Sequence, residues 1–303
     1  MRRRAALVVL ALGVLPGCSL LRFAHDSDYT VSPHFAKQQK SWPEARELRV
    51  ATFNIHDLYW LSDHRAARVR EIGKVLAELA PDVVCLQEGF VAGDVAVIAD
   101  ALRAIGVEHA TDYPSGVLGS GLWTFSRFPI REAFFLRFSQ NGAMFDTKGG
   151  DWWAGKGVGL ARIELAEGQL LDVYNTHLIC RLGGAELKAH RHVQVREFAG
   201  FVSAATPPGV PAVLCGDFNC GPGSREFGFL DHALQWQSML LHRGWLDHVY
   251  ARALPGEYRF TPLEETAIRG KVPVPGAESV SLSDHTGWLV RLRIEPLTTG
   301  GAK

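Results

Sequence analysis

The chain carries no surplus of either charge: of its 303 residues, Lys plus Arg and Asp plus Glu both number 32. Nucleic-acid binders normally hold a basic excess that displaces counterions, so nucleic acid is the less favoured partner. Cysteine is scarce, at five residues. Cys215 and Cys220 have neither a second cysteine pair nor a histidine near them in sequence, which excludes a zinc site of that kind. Cys85 and Cys215 fall in apolar runs and read as core thiols. A Cys180–Cys220 bridge stays open, because spacing alone does not fix pairing. No apolar run reaches the roughly 20 residues that a membrane-spanning helix needs. Repeats and low-complexity blocks are also absent. What remains is 47% hydrophobic, ample for one large α/β core.

The amino terminus reads as a targeting segment. Arg2, Arg3 and Arg4 precede the short apolar stretch Ala5 to Leu15, the pattern of a signal peptide. Leu15-Pro16-Gly17-Cys18 resembles a bacterial lipobox. On that reading residues 1–17 are removed and Cys18 is acylated, with several chains giving a stable anchor. Ser19 then points to the outer membrane, and the protein is exported to the periplasmic or cell-surface side. An ordinary secretory signal or an uncleaved short anchor is the alternative. Residues 18–47 are polar and contain Pro33 and Pro43, which reads as a tether. The domain is expected over 48–294, followed by a Thr/Gly-rich tail over 295–303.

Within the domain one pattern recurs: an apolar run that delivers a polar group at its end. Leu48 to Phe53 runs into Asn54, and Asp82 to Gln87 into Glu88. Leu170 to Thr176 runs into His177, and Val213 to Gly216 into Asp217 and, two positions on, Asn219. Ser281 to Ser283 delivers Asp284 and His285. In α/β proteins ligands sit beyond the carboxyl ends of strands, so these groups are expected to share one rim. Between the runs lie helical periodicities. Val69, Ile72, Val75, Leu76 and Leu79 recur at three and four, after Ser62 or Asp63 as cap and before Pro81. A second helix is predicted over Asp94 to Ile105. A third is predicted over Glu186 to Ser203, with Leu187, His190, Phe198 and Phe201 inward and His190 and His192 as packing or surface residues.

Thr52-Phe53-Asn54-Ile55, Leu86-Gln87-Glu88, Thr176-His177-Leu178, Gly216-Asp217-Phe218-Asn219 and Ser283-Asp284-His285 together resemble the ordered motifs of the endonuclease/exonuclease/phosphatase superfamily, from about residue 48 to about 294. Gly119 to Ile130 and Gly150 to Leu160 are similar to its neutral sphingomyelinase branch, as is the Asp151–Lys156 spacing. The resemblance implies a DNase I-like four-layer α/β sandwich, two mixed β-sheets packed face to face with flanking helices. It implies a Mg²⁺- (or Mn²⁺-) dependent phosphodiesterase acting on a phospholipid headgroup. Glu88, Asn54 through its carbonyl, and Asp284 would form the metal site. Asp217 would orient or deprotonate water and Asn219 would hold the scissile phosphate. His285 would be the general base and His177 a donor to the developing phosphorane. Asp151 and Lys156 would support catalysis, with a solvated surface ion pair as the plainer alternative. Trp152 and Trp153 would either face a lipid boundary or be half-buried.

One departure stands out. The superfamily places an Asp, in an Arg-Ile-Asp-Tyr-like strand, where it holds the catalytic imidazole. Here Thr266 to Pro275 contains no Asp, and Pro273 and Pro275 suit no central strand. Glu264, Glu265 or Glu278 would replace it, or a different surface would. Two other functions stay open: a nuclease or phosphatase on another phosphoester, and a binding protein that has lost catalysis. The sequence leaves the oligomeric state undetermined.

Overall fold

The computed structural model describes residues 39–40, 42–142, 151–180, 184–241, 246–252 and 257–297. The signal segment, Cys18, most of the tether and nearly all of the tail lie outside these residues.

Two mixed six-stranded sheets make the frame among the described residues. The first runs β11 (Tyr258–Ile268), β14 (Gly287–Pro296), β1 (Arg46–Asp57), β2 (Val83–Gly89), β4 (Trp123–Ser126), β3 (His109–Asp112). The second runs β5 (Ile130–Arg137), β6 (Gly157–Ala166), β7 (Gln169–His177), β8 (Ala212–Asp217), β10 (Asp247–Arg252), β9 (Gln237–Ser238). A separate hairpin of β12 (Lys271–Val274) and β13 (Ala277–Ser281) holds the proline-containing stretch, which is thus no central strand.

Period-two alternation sorts the side chains into layers. Val50, Val83 and Cys85 from one sheet meet Val173, Val213 and Cys215 from the other in the central layer. The opposite faces are covered by helices, as the resemblance implied. Ala51, Phe53 and Leu86 pack against α1 (Arg65–Leu79) and α2 (Ala92–Arg103) through Val69, Ile72, Val95 and Ile98. Tyr174, Leu214 and Phe218 pack against α4 (Gly184–Ala205) and α5 (Arg225–Leu234) through Phe198, Val202 and Phe227. A short helix, α3 (Asp151–Ala154), precedes β6.

Three local expectations change. The first helix starts at Arg65 with His64 at its cap, and no side chain caps it. Ser62 Oγ instead accepts from Leu58 N and donates to His56 O, pinning the turn after β1. The end of the tether belongs to the domain: Trp42 is 3% exposed and stacks edge-on against Tyr258. Cys180 and Cys220 are not bridged, while Cys85 and Cys215 are buried thiols as expected.

The sheets align their rims. β1 and β2 are parallel, with Asn54 level with Gln87. β7 and β8 are parallel, with His177 level with Asp217. Gly216 permits that pairing: a Cβ there would lie 2.1 Å from Thr176 O, at a left-handed φ of 148°. Beneath the rim a buried tie crosses the sheets, as Gln87 Nε2 donates to Asn175 Oδ1 at 2.8 Å and Asn175 Nδ2 donates to Leu86 O.

Candidate active site

All five strand-end motifs converge at the top of the gap between the sheets. Asn54 stands at the centre. Its Nδ2 donates to Glu88 Oε1 at 3.0 Å and to Asp217 Oδ2 at 3.2 Å, tying one sheet to the other. Its Oδ1 accepts from His56 N at 3.1 Å. The carbonyl expected to face a metal is therefore turned to the backbone, and Asn54 acts here as a clamp on two carboxylates.

Glu88, Asn219 and His56 all adopt left-handed backbone, at φ 57°, 47° and 49°. Non-glycine residues rarely do so, and such strain concentrates at functional sites. Glu88 Oε2 is buried and takes no hydrogen bond. Burial pulls this carboxyl's pKa upward, but the His56 imidazole, the Asn54 amide and the Lys156 charge outweigh it and hold the group below the usual range. A buried, ionised oxygen with one open side suits a hard divalent cation. Asp284 is more open: its side chain is 61% exposed, and Oδ1 lies 3.3 Å from His56 Nδ1.

His285 has an orienter after all. Its Nδ1 sits 2.8 Å from Asp247 Oδ2, and its Nε2 lies 3.7 Å from Asp217 Oδ2. Asp247 opens β10, which runs antiparallel to β8 and sets Asp247 opposite Asp217. The Asp sought between Thr266 and Pro275 thus comes from another strand, and Glu264, Glu265 and Glu278 are not needed. Glu264 instead lies 3.4 Å from Arg291, and Glu265 accepts from Leu241 N. The motive for a catalytically impaired protein disappears with this pairing. The missed signal was Leu246-Asp247-His248-Val249-Tyr250, an acid opening an apolar run. It escaped because an antiparallel strand reaches the rim with its amino end.

The charges of this trio are linked. Burial lowers the His285 pKa, but Asp247 in hydrogen bond and charge, then Asp217 and Asp284, override it and raise it to about 9. Burial and the charge of Asp247 lift Asp217 to about 7, against the pull of His285 and Lys156. Asp217, Asp247 and His285 place one ligand atom each within 4.8 Å of one another. The short Nδ1 contact marks Asp247 and His285 as an acid–base pair. The open oxygen of Glu88 is the better seat for a cation.

Asp151 and Lys156 are no solvated surface pair. Both side chains are 5% exposed, and the charged atoms lie 2.6 Å apart. Lys156 Nζ also reaches His177 Nε2 at 2.9 Å and Leu178 O at 3.0 Å. A lysine ammonium only donates, so His177 Nε2 accepts from it. Burial and the Lys156 charge push the His177 pKa well below its ordinary value, leaving a neutral ring. In this arrangement His177 Nε2 is taken up by Lys156, whose Nζ also meets Asp151 and Leu178 O. Asn219 donates through Nδ2 to Leu178 O, and its N–H is accepted by Asp217 Oδ1. Trp152 and Trp153 are half-buried and meet edge to face.

Fold and site define a class: a two-sheet α/β sandwich with carboxylates, amides and an oriented imidazole gathered at one rim. The endonuclease/exonuclease/phosphatase family matches residues 51–285, and the chain belongs to that family. It is 32% identical over 205 residues to the inositol phosphosphingolipids phospholipase C of Schizosaccharomyces pombe, covering 67% of this chain and 47% of that protein. It is 35% identical over 177 residues to mouse (Mus musculus) sphingomyelin phosphodiesterase 2, covering 58% and 42%. The chain thus spans about half the length of these curated relatives. Its fold matches that of a beta toxin mutant from Staphylococcus aureus with bound magnesium ions, at a TM-score of 0.64 and 17% identity, over 81% of this chain and 99% of that one.

Proposed function

We propose that the protein is a divalent-metal-dependent phosphodiesterase that hydrolyses the headgroup phosphodiester of a sphingolipid. The observation that carries the reading is the Asp247–His285 pair beside Asp217, which Asn54 ties to Glu88 and its unpartnered carboxylate oxygen. When bound, Mg²⁺ (or Mn²⁺) would offset charge on the phosphoryl oxygens and lower the proton affinity of nearby water and imidazole.

The chain's own residues do the rest. Glu88 and Asp284 would hold the cation, and Asn54 fixes the spacing of Glu88 and Asp217. Asp217 orients the attacking water. Its proton passes to His285 Nε2, while Asp247 holds Nδ1. The water oxygen bonds to phosphorus as the bond to the lipid alkoxide breaks, and the proton held by His285 passes to that alkoxide, giving a phosphorylated headgroup and a neutral lipid alcohol. Lys156 and Asn219 stabilise charge on the phosphate.

The relatives' names support a sphingolipid substrate. So do two exposed apolar groups: Leu61, 72% exposed in the 3-10 turn just after β1, and Leu118, 38% exposed, whose N–H donates to Trp153 O. We further infer that acylation of Cys18 holds the exported enzyme at a membrane surface, which intact-mass analysis of the membrane fraction tests directly.

The deciding experiment is a substrate panel in mixed micelles: sphingomyelin, phosphatidylcholine, DNA and inositol phosphates, each with Mg²⁺ and with chelator. The expected result is chelator-sensitive release of phosphocholine from sphingomyelin. Cleavage of DNA with no action on choline phospholipids would replace this reading with a nuclease.

A further inference from the structure

One histidine at the rim has no role in the scheme above. His56 follows Asn54 by two positions, in the turn that leaves β1. Its Nδ1 lies 3.3 Å from Asp284 Oδ1 and 3.6 Å from Glu88 Oε2. Glu88 Oε2 is the buried carboxylate oxygen without a hydrogen bond. We propose that His56 Nδ1 is a ligand of the divalent cation, and that this nitrogen makes the site favour Mn²⁺ over Mg²⁺.

The proposal rests on the metal-dependent reading and deepens it. Two neighbouring donors bound at about 2.0–2.2 Å to an octahedral cation stand roughly 2.8–3.1 Å apart, so the 3.3 Å and 3.6 Å contacts of His56 need to close by less than about 1 Å around an ion. Glu88 provides the buried oxygen. Asp284, on an exposed side chain, has the freedom to close the set. Asn54 Oδ1 already accepts from His56 N, and its Nδ2 is committed to Glu88 and Asp217. The donor beside the open carboxylate is therefore an imidazole nitrogen.

The fold holds that nitrogen in place. His56 has a left-handed backbone at φ 49°. Its carbonyl accepts from Ser62 Oγ at 2.7 Å and from Arg68 Nη2 at 2.6 Å. Arg68 is itself anchored to Leu282 O at 2.8 Å, on the approach to Asp284. Strain held by such bonds is stored where the surroundings over-determine the position. Imidazole suits transition-series ions, whereas Mg²⁺ prefers an all-oxygen shell with several waters.

The test uses the full chain loaded with Mn²⁺ or Mg²⁺ alone. Calorimetric titration gives both dissociation constants, and pulsed electron paramagnetic resonance of the Mn²⁺ form reads nitrogen directly bound to the metal. His56→Asn is the main variant, because Asn tolerates left-handed backbone; His56→Gln is the second. Circular dichroism checks that each is folded. The expected result is nitrogen modulation in the wild type that both variants lose. Mn²⁺ affinity should fall at least tenfold, and Mg²⁺ affinity by less than threefold. Since His177 and His285 share the rim, the loss in the variants is the diagnostic sign. Unchanged modulation and unchanged affinities would overturn the assignment of His56 while leaving chelator-sensitive turnover, and the functional reading, intact. A wild type that binds neither ion would overturn both.

Discussion

Asp247→Asn isolates the contact on which the acid–base chemistry turns. Asp247 Oδ2 accepts from His285 Nδ1 across 2.8 Å in a buried setting. An amide in its place can present an NH₂ to Nδ1. That favours the tautomer with its proton on Nε2, the atom that must receive the proton from water. In a catalytic triad the same exchange costs about 10⁴ in turnover. Here Asp217 still faces Nε2 at 3.7 Å, so a loss of about 10³ is expected, equivalent to about 4 kcal/mol of barrier. The pH profile gives a second readout. Burial lowers the His285 pKa, but Asp247 is the leading upward influence behind its value of about 9. Removing the Asp247 charge lowers it. A base works when deprotonated, so activity rises with pH through that pKa. The variant's acid limb should move to lower pH even as its plateau falls. The assay is kcat/KM for sphingomyelin from pH 5 to pH 10, with circular dichroism as the folding control. A plateau within threefold of wild type and an unmoved limb would refute the reasoning.

Other consequences follow from the same geometry. Glu88→Gln removes the open charge facing the cation, so divalent affinity should weaken in calorimetry and turnover should fall by about 10² to 10³. Lys156→Met strands the buried Asp151 carboxylate and should cost about 3–5 kcal/mol in urea denaturation; adding Asp151→Asn should recover most of the stability but none of the activity. His248 is 1% exposed, and burial holds its pKa at about 4. Its neutral form stabilises the fold above the unfolded value of about 6.5, and that stability is lost as pH falls from there toward 4. Denaturation at pH 7.5 and pH 5 should differ by about 2 kcal/mol more in wild type than in His248→Asn.

The strands and their polar ends were legible because each apolar run closes on a polar group, and parallel neighbours put carboxyl ends at one rim. Asn54, Glu88, His177 and Asp217 were found that way. Asp247 was not, because β10 is antiparallel and brings its first residue to the site. His56 was missed because its role depends on a left-handed turn that places it over Glu88. The carbonyl of Asn54 and the donor role of His177 were read from residue type alone. Which way the Asn54 amide points depends on Glu88 and Asp217 as well as on His56 N, and which nitrogen meets Lys156 depends on a neighbour 21 residues away. The burial of the Asp151–Lys156 pair has the same origin: five residues of spacing permit either a surface pair or a buried one. Trp42 reads as tether in the sequence because its partner, Tyr258, lies in an edge strand more than 200 residues later.

The central claim is that one cation-bearing cleft between the two sheets splits a sphingolipid phosphodiester. The most direct measurement is phosphocholine release from sphingomyelin by wild type, Glu88→Gln and Asp247→Asn, each with Mg²⁺, with Mn²⁺ and with chelator. Wild type should turn over in a way that chelator abolishes and that both variants lose by at least about 10². Wild-type release that persists in chelator, or survives both substitutions, would contradict it.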